Sequence, residues 1–258
     1  MPVTWAVQRS QWWNQYFSKN SQQLLAIPWE IGSELTPSEK RAITSSIQKF
    51  QLGEGSDGWH LIVASQRYAE RYNDLDYADA VQLFIAEEQR HSRDLGRFMD
   101  INSIPRITST YSDWVFRRVR RIASSIEIMI MTLLVAETIA LVYYKALAGA
   151  TKSKVLDRLC EQILKDEYYH IRFQTERLAI IRRGRWHIIN LAATLFHVPL
   201  YYGAILVVWL DHAPVFQAAG VSFFRYLLNC HAEFMNVLDA IRSVQQWHRT
   251  KAADTAME

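Results

Sequence analysis

Cysteine is almost missing from this chain: Cys160 and Cys230 are the only two among 258 residues, and no C-x-x-C occurs. A disulfide framework and a zinc knuckle are thereby excluded, and a reducing cytoplasm is the expected compartment. Glycine (9) and proline (6) are scarce, which excludes a collagen-like or disordered chain. A net charge of +3 is too small to argue for a nucleic-acid partner. No run alternates apolar and polar residues, so no sheet is expected. The N-terminal "MPVTWAVQRSQWWNQYF" has neither the basic start nor the long apolar core of a secretory signal.

What is present is a helical period in a chain that is 50% hydrophobic, enough for a sizeable core. The expected fold is all-α, a bundle of four long helices with short turns inside each pair. Residues 1–35, with Trp5, Trp12 and Trp13 before Tyr16, read as an aromatic-rich N-terminal arm. Residues 36–184 form the expected bundle, and 185–258 a C-terminal extension of further helices. Thr36, Pro37 and Glu39 make a capping box that opens a helix expected to run to residue 72. Asp74 or Asp76 starts the next, to residue 100. Others are expected over 116–148, 153–183 and 221–248.

Two of these helices carry the same pattern, "EEQRH" at 87–91 and "DEYYH" at 166–170. Glu88 and His91 share a face with Phe84 and Leu95; Glu167 and His170 share one with Ile163 and Ile171. A glutamate and a histidine three residues apart project side by side and can bind one cation. That cation offsets the cost of desolvating a carboxylate on an apolar face. The other two helices each supply a lone acid. Glu137 is the only charged residue in 128–144, on a stripe with Ile126, Ile130, Leu133 and Leu141. Glu54 continues the stripe of Ile43, Ile47 and Phe50, between Gly53 and Gly55.

Register offers a check. Glu137 and Glu167 stand about 12 and 14 residues from their shared turn, so antiparallel helices bring them level. Glu54 and Glu88 stand about 18 and 12 residues from theirs, a mismatch of roughly 9 Å at a rise of about 1.5 Å per residue. Asp57, one turn further along, is therefore the substitute for Glu54. Glu87 and Asp166 read as solvated or supporting groups, and Tyr143, Tyr144, Tyr168 and Tyr169 as core and rim aromatics. Arg90 and Asp94 read as a surface i, i+4 pair. His60, His187, His197, His212, His231 and His248 have no partner at ligand spacing and receive no role.

Four helices that each give a glutamate, two of them adding a histidine three residues later, resemble the ferritin-like di-iron carboxylate superfamily over residues 40–178. The resemblance implies a ferritin-like bundle in which Glu54, Glu88, His91, Glu137, Glu167 and His170 bind two iron ions. Manganese in one or both positions is compatible with the same ligands. It further implies an oxidase or oxygenase that uses O2 on a small organic substrate. Electrons would come from an external donor, because the cysteine pairs of a rubrerythrin-like protein are absent. A ferroxidase or iron-handling role is the alternative, against which the extra C-terminal residues stand. A non-catalytic membrane or partner-binding helical protein is the second alternative, and a homodimer is compatible with each.

Residues 188–210, "IINLAATLFHVPLYYGAILVVWL", carry no formal charge and are long enough to cross a bilayer. Two readings follow: a buried fifth helix, or helix pair broken at Pro199, or else a membrane-associated segment. Arg117, Arg118, Arg120 and Arg121 and, at the same end of the expected bundle, Arg182, Arg183 and Arg185 would form a basic rim for headgroups or an anionic substrate.

Overall fold

A computed structural model of the protein describes residues 8–109, 125–183 and 185–255, with the side chains of His187 and of 246–255 left aside. The arginines at 117–121 lie outside the described residues. Among the described residues all regular structure is helical, with no strand. The helices are α1 (Ser10–Asn20), α2 (Pro37–Glu54), α3 (Trp59–Tyr72), α4 (Leu75–Ile101), α5 (Ile126–Gly149), α6 (Lys154–Ile181), α7 (His187–Ala218) and α8 (Phe223–Thr255). A 3-10 turn, Trp29–Ile31, lies between α1 and α2.

Local chemistry accounts for the starts. At α2 the Thr36 side chain accepts from the Glu39 backbone N–H while the Glu39 carboxylate accepts from that of Thr36, with Pro37 at the first position. Ser125 and Ser153 cap α5 and α6 by accepting from Ile128 and Leu156. Asp74 precedes α4 but does not cap it; its carboxylate accepts instead from Ser10 and Arg177.

The helix expected from 36 to 72 is two helices. The chain turns at Gly55–Gly58, and Gly58 sits at φ 63°. A Cβ there would stand 2.5 Å from Ile85 Cδ1, so α4 packs directly against the turn and only glycine fits. Glu54 is thus the last residue of α2. The register mismatch counted along an unbroken helix disappears with that helix.

α2 packs on α4, α4 on α6, and α6 most extensively on α5. Buried Ile43, Ile47, Leu95, Phe98, Tyr143 and Ile163 fill the space that these four helices share. α1 lies across α4 and reaches α6, where Trp13 Nε1 donates to Glu176 Oε2 at 3.1 Å. The Arg177 guanidinium bonds Ser10 Oγ and Asp74 Oδ2 and stacks 3.8 Å above the Tyr77 ring.

α5 and α7 are both long and apolar enough to cross a membrane. α5 is mostly enclosed by other helices. α7 packs one side on α2, α5 and α8 through Tyr201, Ile205, Val208 and Phe216, and leaves its other side exposed. It runs unbroken through Pro199 and Pro214, so no helix pair forms there. Pro199 lies on the exposed side, where the clash and lost hydrogen bond of a helical proline disturb no packed neighbour. Two arginines expected in a basic rim are used internally: Arg182 Nε and Arg185 Nη1 donate to Glu127 at 2.9 and 2.5 Å.

Where α7 meets α2, His212 Nδ1 lies 2.7 Å from Ser46 Oγ, which in turn donates to Tyr143 Oη at 2.9 Å. Burial, and then the nearby Lys49 charge, depress the His212 pKa to about 4. The unfolded chain therefore takes up a proton near pH 6.5 that the folded chain refuses until about pH 4. Stability should fall by about 3 kcal/mol as pH drops through that window. Thermal unfolding of His212→Asn, which has nothing to protonate, should lack this component. An unchanged pH dependence in the variant would exclude His212 as its source.

Candidate metal centre

The interior of α2, α4, α5 and α6 brings all six expected ligand residues together. Glu54, Glu88, His91 and Glu167 form one group; Glu88, Glu137, Glu167 and His170 form a second. Within each group the ligand atoms lie within 4.8 Å of one another, and Glu88 and Glu167 belong to both. His170 Nδ1 is 3.7 Å from Glu167 Oε2 and 3.9 Å from Glu137 Oε2. His91 Nδ1 is 3.6 Å from Glu167 Oε1 and 3.8 Å from Glu88 Oε1. Asp57 takes no part; it is exposed, and its Oδ1 accepts from the Trp59 backbone N–H at 3.2 Å.

Behind the ligands stands a crossed pair of contacts. The acid before each glutamate holds the histidine of the other helix: Asp166 Oδ2 is 3.1 Å from His91 Nε2, and Glu87 Oε2 is 3.0 Å from His170 Nε2. A carboxylate only accepts here, so each Nε2 carries a proton and each ring turns Nδ1 inward, the atom left to bind a cation. Asn20, at the end of α1, donates to both acids, reaching Glu87 Oε1 and Asp166 Oδ1 at 2.7 Å each. Gln162 and Arg90 also donate to Asp166. Burial would raise the Asp166 carboxyl, but His91 and Arg90 outweigh it and hold it well below the usual carboxylate range. Arg90 keeps the expected i, i+4 pair with Asp94, Nη1 to Oδ2 at 4.0 Å, and also reaches inward, its Nη2 2.7 Å from Asp166 Oδ2.

Inside this shell the electrostatics are unbalanced. Burial, then the charge of a neighbouring carboxylate, pushes up Glu54, Glu88 and Glu167. Glu137 is held low although burial opposes it, because Glu167 and His170 bond to it. His170 is raised, its contacts with Glu137, Glu167, Glu87 and Glu88 outweighing burial. Tyr144 Oη donates to Glu54 Oε1 at 2.6 Å, a polar role for a tyrosine that reads as core from its spacing.

Four buried atoms aimed into the cluster have no hydrogen-bond partner: Glu88 Oε1, Glu167 Oε2, His91 Nδ1 and His170 Nδ1. His170 Nδ1 and Glu88 Oε1 are 2.8 Å apart but out of hydrogen-bonding direction. Without a cation, protons held by His170 and by the raised Glu88 and Glu167 carboxyls have to fill this space; with cations bound, all four atoms offer lone pairs. Each such group costs about 1–3 kcal/mol. Cations satisfy all four at once, and two divalent ions balance the charge of Glu54, Glu88, Glu137 and Glu167. The residues fit a two-metal centre.

No known protein family, curated protein or solved structure matches this chain. The site therefore has to be interpreted from its own geometry. Mixed carboxylate oxygen and imidazole nitrogen suit iron or manganese; the thiolates that favour copper(I) or a structural zinc are absent from both groups. Two cavities, of about 430 and 200 Å³, reach the centre and share Gly53, Glu54, Glu88 and Leu133 as walls. Glu88, 20% exposed, faces both, so small molecules have a path to the shared ligands.

Of the supporting groups, Glu87 and Asp166 are visible in the sequence as acids beside the ligands. Asn20 and Gln162 carry no such signal. Asn20 reaches its partners across 67 and 146 residues.

Proposed function

We propose that the chain is a ferritin-like non-haem di-iron oxidase or oxygenase, acting on O2 and an organic substrate. The observation that carries the reading is the sharing of Glu88 and Glu167 between the two ligand groups. Shared carboxylates let two cations sit close together by neutralising their repulsion. Glu54 and His91 complete one position, and Glu137 and His170 the other. Bound iron, or manganese in one or both positions, supplies the redox chemistry with O2.

The protein's own contribution is orientation and exclusion of water. The crossed contacts of Asp166 and Glu87 fix both rings with Nδ1 inward. Tyr144 fixes the Glu54 carboxylate and holds a proton on Oη beside the site. Phe84 packs edge-on against the His170 ring, 4.7 Å between centroids, and keeps that side apolar. Electrons come from an external donor, since Cys160 and Cys230 are each buried and free. Those free thiols suit a reducing cytoplasm. The larger cavity favours an organic substrate over iron handling, because it opens onto Glu54 and Glu88 beside apolar Leu61, Ile85 and Met129.

Anaerobic titration with ferrous iron should give about two ions per chain and, after exposure to air, the absorbance of an oxo-bridged ferric pair. Glu88→Ala combined with Glu167→Ala should abolish tight binding. Iron content equal to that of the parent would reject the assignment.

A further inference from the structure

The exposed side of α7 is apolar from Ile188 to Leu210. Ile188, Leu191, Leu195, Tyr202, Leu206 and Leu210 follow a helical stripe, with Phe196 and Val207 beside it. Leu210 is 71% exposed and Phe196 67%. α8 presents a second stripe, Phe224, Leu228 and Met235. The two are neighbours: Tyr202 Oη and His231 Nδ1 are 2.7 Å apart, and Tyr201 stacks on Phe234 beneath them. The result is one continuous apolar face across two antiparallel helices. A patch of this kind on a soluble surface marks an interaction site.

Its edges say which kind. From Trp186 to Leu210 α7 carries no Asp, Glu, Lys or Arg. Exposed Arg183 stands at one end, together with Trp186 at 79% exposure, and exposed Arg225 stands beside Phe224 at the other. An apolar face bounded by arginine and tryptophan matches the boundary between acyl chains and anionic headgroups. The other side of α7 is packed on α2, α5 and α8, so only one side is free to meet lipid. One-sided exposure of this kind fits a helix lying in the plane of a bilayer surface.

The smaller cavity connects this face to the metal centre. Its wall includes exposed Ala136 of α5 and Val207 of the α7 stripe, and it runs inward to Glu137 and Glu167. We infer that the α7–α8 face rests on a lipid bilayer and that the substrate is an apolar, bilayer-dissolved molecule entering between Ala136 and Val207. The docking stands on the face alone; the substrate class rests on the di-iron reading.

Flotation of the full chain with phosphatidylcholine vesicles, with and without phosphatidylglycerol, tests the docking. Binding should occur with both and be stronger with the anionic lipid. Phe196→Asp with Leu206→Asp should weaken it by at least about tenfold while leaving iron content unchanged. Arg183→Gln with Arg225→Gln should remove only the preference for anionic lipid. A chain that stays in the aqueous phase with every vesicle overturns the docking. So does a concentration-dependent dimer, lost in Phe196→Asp/Leu206→Asp, that forms without vesicle binding, since the face would then belong to a second copy.

Dansyl-labelled undecanoic acid in the vesicles tests the route. Ala136→Trp should suppress its fluorescence enhancement while vesicle binding and iron content stay at parental levels; an unchanged enhancement overturns the route. Glu88→Ala/Glu167→Ala should float like the parent, so loss of iron binding alone rejects the di-iron reading and leaves the docking standing.

Discussion

Metal-free Glu167→Gln is expected to melt above the metal-free parent, and iron-loaded Glu167→Gln below the iron-loaded parent. The first half follows from the cluster's imbalance. Glu167 is 1% exposed, its carboxyl is raised by burial and by Glu137, and its Oε2 has no hydrogen-bond partner. An amide in its place adds no charge and keeps at every pH the donor toward Glu137 that the acid supplies only while protonated. Relief of one buried unsatisfied acceptor is worth about 1–3 kcal/mol, or roughly 2–10 °C for a chain of this size.

The sign depends on pH in a defined way. A carboxyl raised in the folded state keeps its proton after the unfolded chain has lost it, so the parent loses stability as pH rises above the ordinary glutamate range. The advantage of the amide is therefore small near pH 4 and grows toward neutrality. Iron reverses the order. At a free metal concentration about a thousandfold above the dissociation constant the parent gains about 4 kcal/mol. The variant lacks one of two shared carboxylates and forfeits most of that gain. Differential scanning calorimetry with and without ferrous iron reads both halves. A variant destabilised equally in both states would make Glu167 a packing residue and remove it from the centre.

Much of this centre is legible in the sequence because it breaks a local rule. Glu137 is an acid on a stripe that is otherwise apolar, and the paired E-x-x-H motifs repeat that violation with a histidine attached. A helix face has a fixed period, so spacing alone places each such residue inside. Other features are long-range and leave no periodic trace. Gly58 reads as one more glycine until Ile85 of α4 is found against it, and the helix break follows from that contact. Arg90 pairs with Asp94 by spacing and does so in the structure, but its closer contact, with buried Asp166 on α6, has no trace in that spacing. The apolar run at 188–210 has two sides that composition cannot separate; packing on α2, α5 and α8 separates them. Pro199 suggests a break only to a reading that does not know it faces outward.

Asn20→Ala should both destabilise the fold and weaken iron binding, and Asn20→Asp should be worse on each count. The side chain is 5% exposed and its amide nitrogen serves two carboxylates, Glu87 and Asp166, while its oxygen accepts from Lys165 Nζ at 3.2 Å. Hydrogen bonds to charged groups are worth about 1.5–3 kcal/mol each, so alanine should cost roughly 3–5 kcal/mol. The second effect passes through the histidines. Glu87 and Asp166 hold Nε2 of His170 and His91 only while their own positions are held, and Asn20 is the one group that bonds to both acids among the described contacts. Loss of an outer partner of this kind lowers metal affinity by about 10- to 100-fold. Aspartate at position 20 puts a third negative charge against two buried ones and removes the donor as well. A ferrous-iron titration read beside thermal unfolding separates the two consequences. If Asn20→Ala lowers the melting temperature but binds iron as tightly as the parent, α1 is a structural strap and the rings are oriented without it. If both fall, with aspartate below alanine, the N-terminal helix is part of the metal centre.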